Sequence, residues 1–178
     1  MEERIKWEID PAHSSIEFKI KHLMITNVKG KFNTFSLNAT TVGNDFTTAQ
    51  IEFSIDPNSI DTNNETRDNH LRSADFFDVQ QFGEMSFKST SVERITGDVF
   101  KLKGSLTIKG ISKPIELEVE YDGTMTDPWG VQKSGFSIEG KINRLDWGLK
   151  WNAPLESGGW LVGDDVNIIC EVQLIQVT

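Results

Sequence analysis

Apolar and polar residues alternate along most of this chain, and this period of two restricts its fold more than any other feature. In Ile16-Glu-Phe18-Lys-Ile20-Lys-His22, every second residue is apolar until His22. The same alternation returns at residues 51–55, 100–108, 115–121 and 136–142, and more weakly at 35–39 and 85–89. Because strand side chains point alternately to two faces, the pattern predicts antiparallel strands with one buried and one solvated face.

Turn-forming residues separate these segments, for example in Val42-Gly-Asn44, Thr96-Gly-Asp98 and Ser157-Gly-Gly159. Residues 166–177 are apolar on both parities and complete a set of about eight predicted strands. A closed barrel would leave no unpaired edge. We therefore predict that residues 1–178 form one all-β domain, an eight-stranded antiparallel β-barrel around an apolar interior.

One stretch, around residues 60–80, departs from the alternation and predicts a helical insertion. Asn63-Asn-Glu-Thr-Arg-Asp-Asn-His-Leu-Arg72 can form a helix after the N-cap candidates Ser59 to Thr62, and a further turn could include Phe76. We expect this insertion to border one end of the barrel.

The charge balance disfavours some partners. The chain has 18 Lys and Arg against 27 Asp and Glu, a formal net charge of -9. This works against nucleic acid and anionic membrane surfaces. We expect no stable membrane insertion, because no apolar run approaches about 18 residues. The sequence starts Met1-Glu-Glu-Arg-Ile-Lys-Trp7 without the apolar stretch of a signal peptide, which predicts a cytoplasmic protein.

Cysteine and histidine indicate no metal site. Cys170 is the only cysteine and lies among apolar residues, so we predict a buried structural thiol. His13, His22 and His70 lack metal-ligand spacing, and His13 and His70 are interpreted as a strand-entry residue and a charged helix residue. His22 shares the parity of Phe18 and should face the interior, where a structural role and a contact to a ligand headgroup both stay open.

Two charged groups have structural interpretations. In Arg67-Asp-Asn-His-Leu-Arg72, an i, i+4 pair of Asp68 with Arg72 would stabilise the helix, with headgroup binding as the alternative. Asp164-Asp165 is interpreted as a solvated turn, and Asp75 and Asp78 as helix-capping residues. No nucleophile with an adjacent base is evident, so we predict no catalytic residue and no enzyme activity.

Aromatic residues cluster outside the alternating segments. Trp147, Trp151 and Trp160 lie in a Gly-rich region, and Trp129 lies in another predicted turn. Such loop aromatics either close the core or line the opening of an apolar cavity. The sequence leaves both interpretations open.

Several motifs follow one another in order along nearly the whole chain. They are Trp7-Glu-Ile-Asp-Pro-Ala-His-Ser14, Lys21-His-Leu23, Val28-Lys-Gly-Lys-Phe32, Ser59-Ile-Asp61, Arg67-Asp-Asn-His-Leu-Arg-Ser-Ala-Asp-Phe-Phe-Asp78, Phe87-Lys-Ser-Thr90, Gly104-Ser-Leu-Thr-Ile-Lys-Gly110, Lys113-Pro114 and Ile142-Asn-Arg144 through Trp147-Gly148. Together, from Trp7 to about Val172, they resemble the YceI family of lipocalin-like, polyisoprenoid-binding proteins. The chain departs from the family pattern at Gln81-Phe-Gly-Glu84, which lacks the common proline. Many relatives also start with a signal peptide.

The resemblance implies a lipocalin-like, extended barrel whose tunnel holds a long isoprenoid, such as a quinone or polyprenyl tail. It implies binding rather than catalysis, no cofactor, and a homodimer; an envelope-stress or quinone-related role would fit. A barrel enzyme using His22 or the Arg67 to Arg72 cluster on a lipid, and a filled barrel that binds only proteins, are the alternatives. Combined with strand parity, the resemblance gives these candidate ligand-binding residues: Phe18, Ile20, His22, Phe53, Phe76, Leu102, Leu106, Leu117, Val119, Phe136, Ile138 and Trp147.

Overall fold

The computed structural model describes residues 3–177 and consists mainly of long strands. The strands are β1 (Arg4–Ile9), β2 (Ser15–His22), β3 (Thr26–Phe32), β4 (Phe35–Val42), β5 (Asp45–Ile55), β6 (Ile60–Asp61), β7 (Met85–Thr96), β8 (Val99–Ile108), β9 (Ile111–Thr126), β10 (Gln132–Asn143) and β11 (Val162–Gln176). The helix α1 (Glu65–Arg72) and the short 3-10 helices Pro11–His13, Pro57–Ser59 and Arg144–Trp147 complete the chain.

Eight strands close into an antiparallel barrel, as the sequence predicts. The ring runs β1, β4, β5, β7, β8, β9, β10 and β11. It closes where β1 pairs with the end of β11, with Trp7 opposite Gln176. Closure removes the exposed strand edges that would otherwise invite pairing with other chains.

A second set of strands extends the barrel at one end. The first part of β11 pairs with β2, from Val162 opposite His22 to Glu171 opposite Ser15. β2 in turn pairs with β3, and β3 with β6. We call β2, β3 and β6 the arm. One edge of β11 therefore pairs with β10, and the other edge pairs first with β2 and later with β1.

The bend between β1 and β2 allows this change of neighbour. Asp10 caps the 3-10 helix Pro11–His13 by accepting a hydrogen bond from the Ala12 amide, and its other oxygen lies 2.8 Å from His13 Nδ1. The Asp10 amide donates to the carbonyl of Gln173 in β11. These contacts fix the point at which the chain leaves the barrel and enters the arm.

The sequence pattern misses β1, β3, β6 and part of β11. In β3, Lys29-Gly30-Lys31 interrupts the apolar signal, although Val28 and Phe32 share one parity. The expectation of a solvated turn at Asp164-Asp165 is wrong, because both residues lie within β11 at an irregularity of its pairing with β2. Their charges are paired across the sheet instead: Asp165 lies 3.4 Å from Lys141.

The helix α1 lies within the predicted insertion, but its charges do not pair as predicted. Asp68 is buried and accepts hydrogen bonds from the Thr62 amide and hydroxyl. Arg72 donates instead to the carbonyls of Asn58 and Ile60. The i, i+4 pair of Asp68 with Arg72 is therefore replaced by bonds to the segment before the helix, which hold α1 against the arm. The segment that contains Phe76 forms turns rather than more helix.

Among residues 3–177, no helix has the length and apolar character needed to cross a membrane.

Candidate ligand-binding site

The closed part of the barrel encloses an apolar space of about 170 Å³, which we call the inner cavity. Its wall comes from the alternating inward residues of the barrel strands, and the one hydroxyl on it, that of Thr41, is fully buried. That hydroxyl donates to the Gly43 carbonyl and accepts from Trp7 Nε1 at 3.0 Å. Since this polar group has its partners within the protein, the inner cavity offers a ligand almost only apolar contact.

A larger space of about 640 Å³, the wide cavity, lies between the arm, α1 and one end of the barrel. Its size is in the range of small-molecule binding sites. The inward residues of β2 form one side, with Phe18 near Phe32 at 5.6 Å between ring centroids. The turn residue Phe76 and the loop residue Trp151 form the other side, 5.5 Å apart.

The two cavities are adjacent. Four apolar residues line both of them: Ile16, Ile55, Leu106 and Ile168. We call these four residues the neck. Only apolar side chains therefore lie where the wide cavity borders the inner cavity.

Within residues 3–177, charged and imidazole side chains line the wide cavity but not the inner one, and they come mainly from α1 and β2. His22, Arg67 and His70 all line it. His70 Nε2 lies 2.8 Å from a carboxylate oxygen of Asp75, and its ring meets Trp151 edge to face with centroids 4.6 Å apart. The interpretation of His70 as an ordinary charged helix residue missed this placement, because the loop that carries Trp151 is 81 residues further along the chain.

Arg67 is already engaged by the protein. Its Nε donates to the Thr62 hydroxyl and its Nη2 to the Thr62 carbonyl, each at 2.7 Å. Among residues 3–177, the His22 ring has no hydrogen-bond partner. It is half-buried and faces the wide cavity as its parity predicts. His22 is therefore a side chain of this wall whose polar atoms remain available to a ligand.

Arg144 was not singled out by sequence reasoning, although it also lines the wide cavity. It is 2% exposed and donates to the carbonyls of Gly163, Leu149 and Trp151. Burial lowers the pKa of its guanidinium, and the carboxylate of Asp164, 4.0 Å away, opposes that shift. By tying the loop after β10 to the start of β11, Arg144 shapes the cavity wall. Its position in the Ile142-Asn-Arg144 motif was the available signal.

The candidate ligand-binding residues divide between the two cavities, with one exception. The wide cavity is lined by Phe18, Ile20, His22, Phe76 and Leu106. The inner cavity is lined by Phe53, Leu102, Leu106, Leu117, Val119, Phe136 and Ile138. Trp147 lines neither cavity. It is 2% exposed, and its indole Nε1 donates to the Leu106 carbonyl at 2.9 Å, so it packs behind the neck rather than facing the space.

The other loop tryptophans have separate environments. Trp151 lines the wide cavity, whereas Trp160 and Trp129 are 56% and 83% exposed. Both interpretations of the loop aromatics therefore apply, each to a different residue: Trp147 closes the core and Trp151 faces the cavity. Exposed Trp160 and Trp129 fit neither.

Cys170 is buried, as predicted, and its residue lines the inner cavity. Burial raises the pKa of the thiol to about 11. At neutral pH the side chain is therefore a thiol, which packs like a small apolar group.

Comparison with known proteins agrees with this architecture. Residues 7–174 match the model of the YceI-like domain. A UPF0312 protein of Staphylococcus aureus (strain N315) is 44% identical over 158 residues, covering 88% of this chain and 90% of that protein. The crystal structure of a Campylobacter jejuni YCEI protein is 34% identical, with a TM-score of 0.71, covering 87% of this chain and 88% of that one.

A more distant likeness concerns the fold alone. A polyisoprenoid binding domain from Saccharophagus degradans superposes with a TM-score of 0.68 at 14% identity, over 97% of this chain and 98% of that one. The family match over nearly the whole barrel and the close relatives together show that this chain belongs to the YceI family.

Proposed function

We propose that this protein binds a long isoprenoid or similar apolar lipid, and stores or transports it. The observation that carries the proposal is a pair of adjacent, mainly apolar cavities that share the neck residues. Burying an apolar chain contributes about 0.8 kcal/mol for each methylene group. A tail that fills both cavities would therefore bind tightly with hardly any polar contact.

The two cavities differ in polarity, and this difference predicts the orientation of the bound ligand. We place the tail in the inner cavity, against Phe53, Leu102 and Phe136, and a weakly polar head such as a quinone or hydroxyl in the wide cavity. There the ring of His22 could donate or accept one hydrogen bond. Ile20, Phe18 and Phe76 would enclose the part of the ligand between head and neck.

The comparisons support this choice of ligand class. The Saccharophagus degradans domain with the same fold is described as polyisoprenoid binding and as implicated in plant cell wall breakdown. Its identity to this chain is too low to transfer a ligand by itself. Together with the apolar lining found here, it makes an isoprenoid a better candidate than a compact hydrophobic molecule.

The alternatives are less well supported. A lipid enzyme that uses the Arg67 to Arg72 cluster is disfavoured, because Arg67 and Asp68 are both bonded to Thr62. A filled barrel that binds only proteins is disfavoured by the wide cavity of about 640 Å³. The cytoplasmic location and the homodimer stay predictions; light scattering at several protein concentrations tests the second.

Native mass spectrometry of the freshly purified protein, followed by organic extraction, tests the proposal. We expect a co-purifying isoprenoid, and we expect lipid-stripped protein to bind polyprenols with an affinity that rises with chain length. A protein that is empty and binds no polyprenol of any length would refute the proposal. Turnover of an added lipid would favour the enzyme instead.

A neck variant makes this test specific for the tunnel. Ile168→Trp fills the neck, whereas Ile169→Trp, on the next residue of β11, changes a side chain that lines neither cavity. We expect Ile168→Trp to abolish the gain in affinity for long polyprenols while short ones still bind in the wide cavity. Ile169→Trp should bind like the unchanged protein.

A further inference from the structure

The turn between β2 and β3 presents three apolar side chains to solvent. Leu23, Met24 and Ile25 are 42%, 62% and 77% exposed. We call these three residues the tip. Contiguous apolar surface of this kind is uncommon on soluble proteins and marks sites of interaction.

The backbone of the tip is strained. Leu23 and Met24 have φ values of 55° and 65°, in the left-handed region that glycine or asparagine adopts more easily. Large side chains at such positions weaken the turn, and their exposure means that they gain little from packing in return. The apolar side chains of the tip therefore do not serve to stabilise the fold, and we look for another role for them.

The tip is one half of a larger apolar patch. Met24 lies against Gly159, where a β-carbon would come within 2.1 Å of the Met24 sulfur. The next residue, Trp160, is 56% exposed. The Leu23 amide donates to the Leu161 carbonyl at 2.8 Å, which joins the turn to the loop before β11. We call Leu23, Met24, Ile25 and Trp160 the apolar patch.

The patch adjoins the outer end of the wide cavity. Along β11 the wall of this cavity runs from Ile168 in the neck through Val166 to Val162, and Val162 is opposite His22. The tip begins at the residue after His22, and Leu161 lines the cavity as well. Whatever covers the patch therefore lies next to the space proposed for the ligand head.

Uncompensated positive charge lies beside the patch. Lys19 and Lys29 are opposite each other on β2 and β3, on the face away from the cavity, since their neighbours Phe18 and Val28 line it. Lys21 is exposed one step nearer the tip. Within residues 3–177, none of these three lysines has an acidic partner within 4.0 Å. Like charges directly opposite are unfavourable, and an anion beside Lys19 and Lys29 would reduce that cost.

We propose that the apolar patch and the three lysines dock the protein on a lipid bilayer that contains anionic lipids. Tryptophan and aliphatic side chains enter the interface between headgroups and acyl chains, and lysines beside them contact anionic headgroups. The inference rests on the proposed function in one respect: docking here would hold the wide cavity against the surface from which a lipid is taken.

A bilayer fits the patch better than a second copy of the chain. A stable protein interface buries about 800 Å² on each partner, more than four partly exposed side chains at a turn provide. The same lysines would also meet each other in a symmetric dimer of this face. So small a patch gives weak and reversible binding to a membrane. Reversible binding suits a lipid carrier, which must be able to dissociate from the membrane.

Flotation with vesicles tests the proposal without any cargo. We expect the unchanged protein to float with phosphatidylcholine vesicles that contain phosphatidylglycerol, and less with phosphatidylcholine alone. Met24→Ser with Ile25→Ser should reduce binding to both by about tenfold or more. Lys19→Gln with Lys29→Gln should remove only the preference for the anionic vesicles.

Trp129→Ser is the matched control. Trp129 is more exposed than Trp160, but its turn precedes β10, whose first residues pair with the far end of β11. It also follows Asp127, which lies 3.4 Å from Lys133. This variant should float like the unchanged protein.

Three outcomes would overturn the proposal: no flotation of the unchanged protein, equal loss for Trp129→Ser and the tip variant, or a tip variant that changes a dimer to a monomer in light scattering. If the protein floats with vesicles but binds no polyprenol, the proposed lipid-binding function is refuted and the proposed docking site stands.

Discussion

The ring of Phe18 lies directly over Gly30, its cross-strand partner in the arm. A β-carbon on Gly30 would come within 2.3 Å of the ring carbon Cζ, and its three nearest atoms would all belong to that ring. The same arrangement recurs in the barrel, where the ring of Phe87 covers Gly104. Glycine at these positions lets a large side chain lie flat against the sheet, and in the arm this leaves the wide cavity open.

Alanine at the two glycines should have different effects. At Gly104 a β-carbon would also lie 2.5 Å from the Lys88 carbonyl, which is backbone and cannot move aside. At Gly30 only the Phe18 ring is in the way, and it can turn into the wide cavity. We expect Gly104→Ala to lower the free energy of unfolding by about 1–3 kcal/mol and Gly30→Ala by less.

Chemical denaturation measures the free energy of unfolding of both variants. Polyprenol titration measures their affinity for the ligand. Because the displaced Phe18 ring would occupy ligand space, Gly30→Ala should weaken polyprenol binding more than its loss of stability suggests. Equal destabilisation by the two variants would contradict this explanation.

Neighbouring residues of β2 should respond oppositely to a negative charge. Phe18→Glu would place a carboxylate in an apolar cavity, at a cost on the order of several kcal/mol in stability, or would abolish lipid retention. Lys19→Glu changes the outer face, where it puts a carboxylate opposite Lys29, and should not lower the stability. Thermal unfolding and the amount of co-purified lipid compare the two, and similar losses would show that the register of β2 is wrong.

His22 should matter only to ligands that have a polar head. One hydrogen bond to that head contributes about 0.5–1.5 kcal/mol, far less than a long buried tail. His22→Phe should therefore weaken binding of a quinone or alcohol several-fold and leave a hydrocarbon of equal length nearly unchanged. Titration of both ligands against both proteins measures this. An equal loss for the two ligands would mean that His22 acts through packing.

The Cys170 thiol should react slowly with alkylating reagents, with a rate that depends steeply on pH. Its pKa of about 11 leaves very little thiolate, the reactive form, near neutral pH. The rate should rise about tenfold per pH unit between about pH 8 and 10. Glutathione is the control, and its rate should level off earlier. A plateau for Cys170 below pH 9 would contradict the burial of the thiol, whereas slowing by an added polyprenol would report a filled inner cavity.

Strand parity was a reliable guide to the barrel and to the inward residues. Each candidate ligand-binding residue that was taken from an alternating segment lines one of the two cavities. The reason is local. Successive side chains of a strand point to opposite faces, so a strand with one buried and one solvated face has an apolar residue at every second position. Trp147 had no such pattern to place it; it lies behind the neck and lines neither cavity, and its contact with a ligand stays a prediction.

The chain by itself thus determined the antiparallel barrel, the insertion that contains α1, the buried Cys170 and the inward position of His22, because each depends on neighbours a few residues away. Only the tertiary structure decided that one edge of β11 pairs with both β2 and β1, that His70 meets Trp151, and that Arg144 holds the loop after β10. These contacts join residues far apart in the chain, and their geometry depends on barrel closure, which no local pattern records. The division of the interior into inner and wide cavities follows from the same closure, since it is the arm and α1, packed at one end, that enclose the second space.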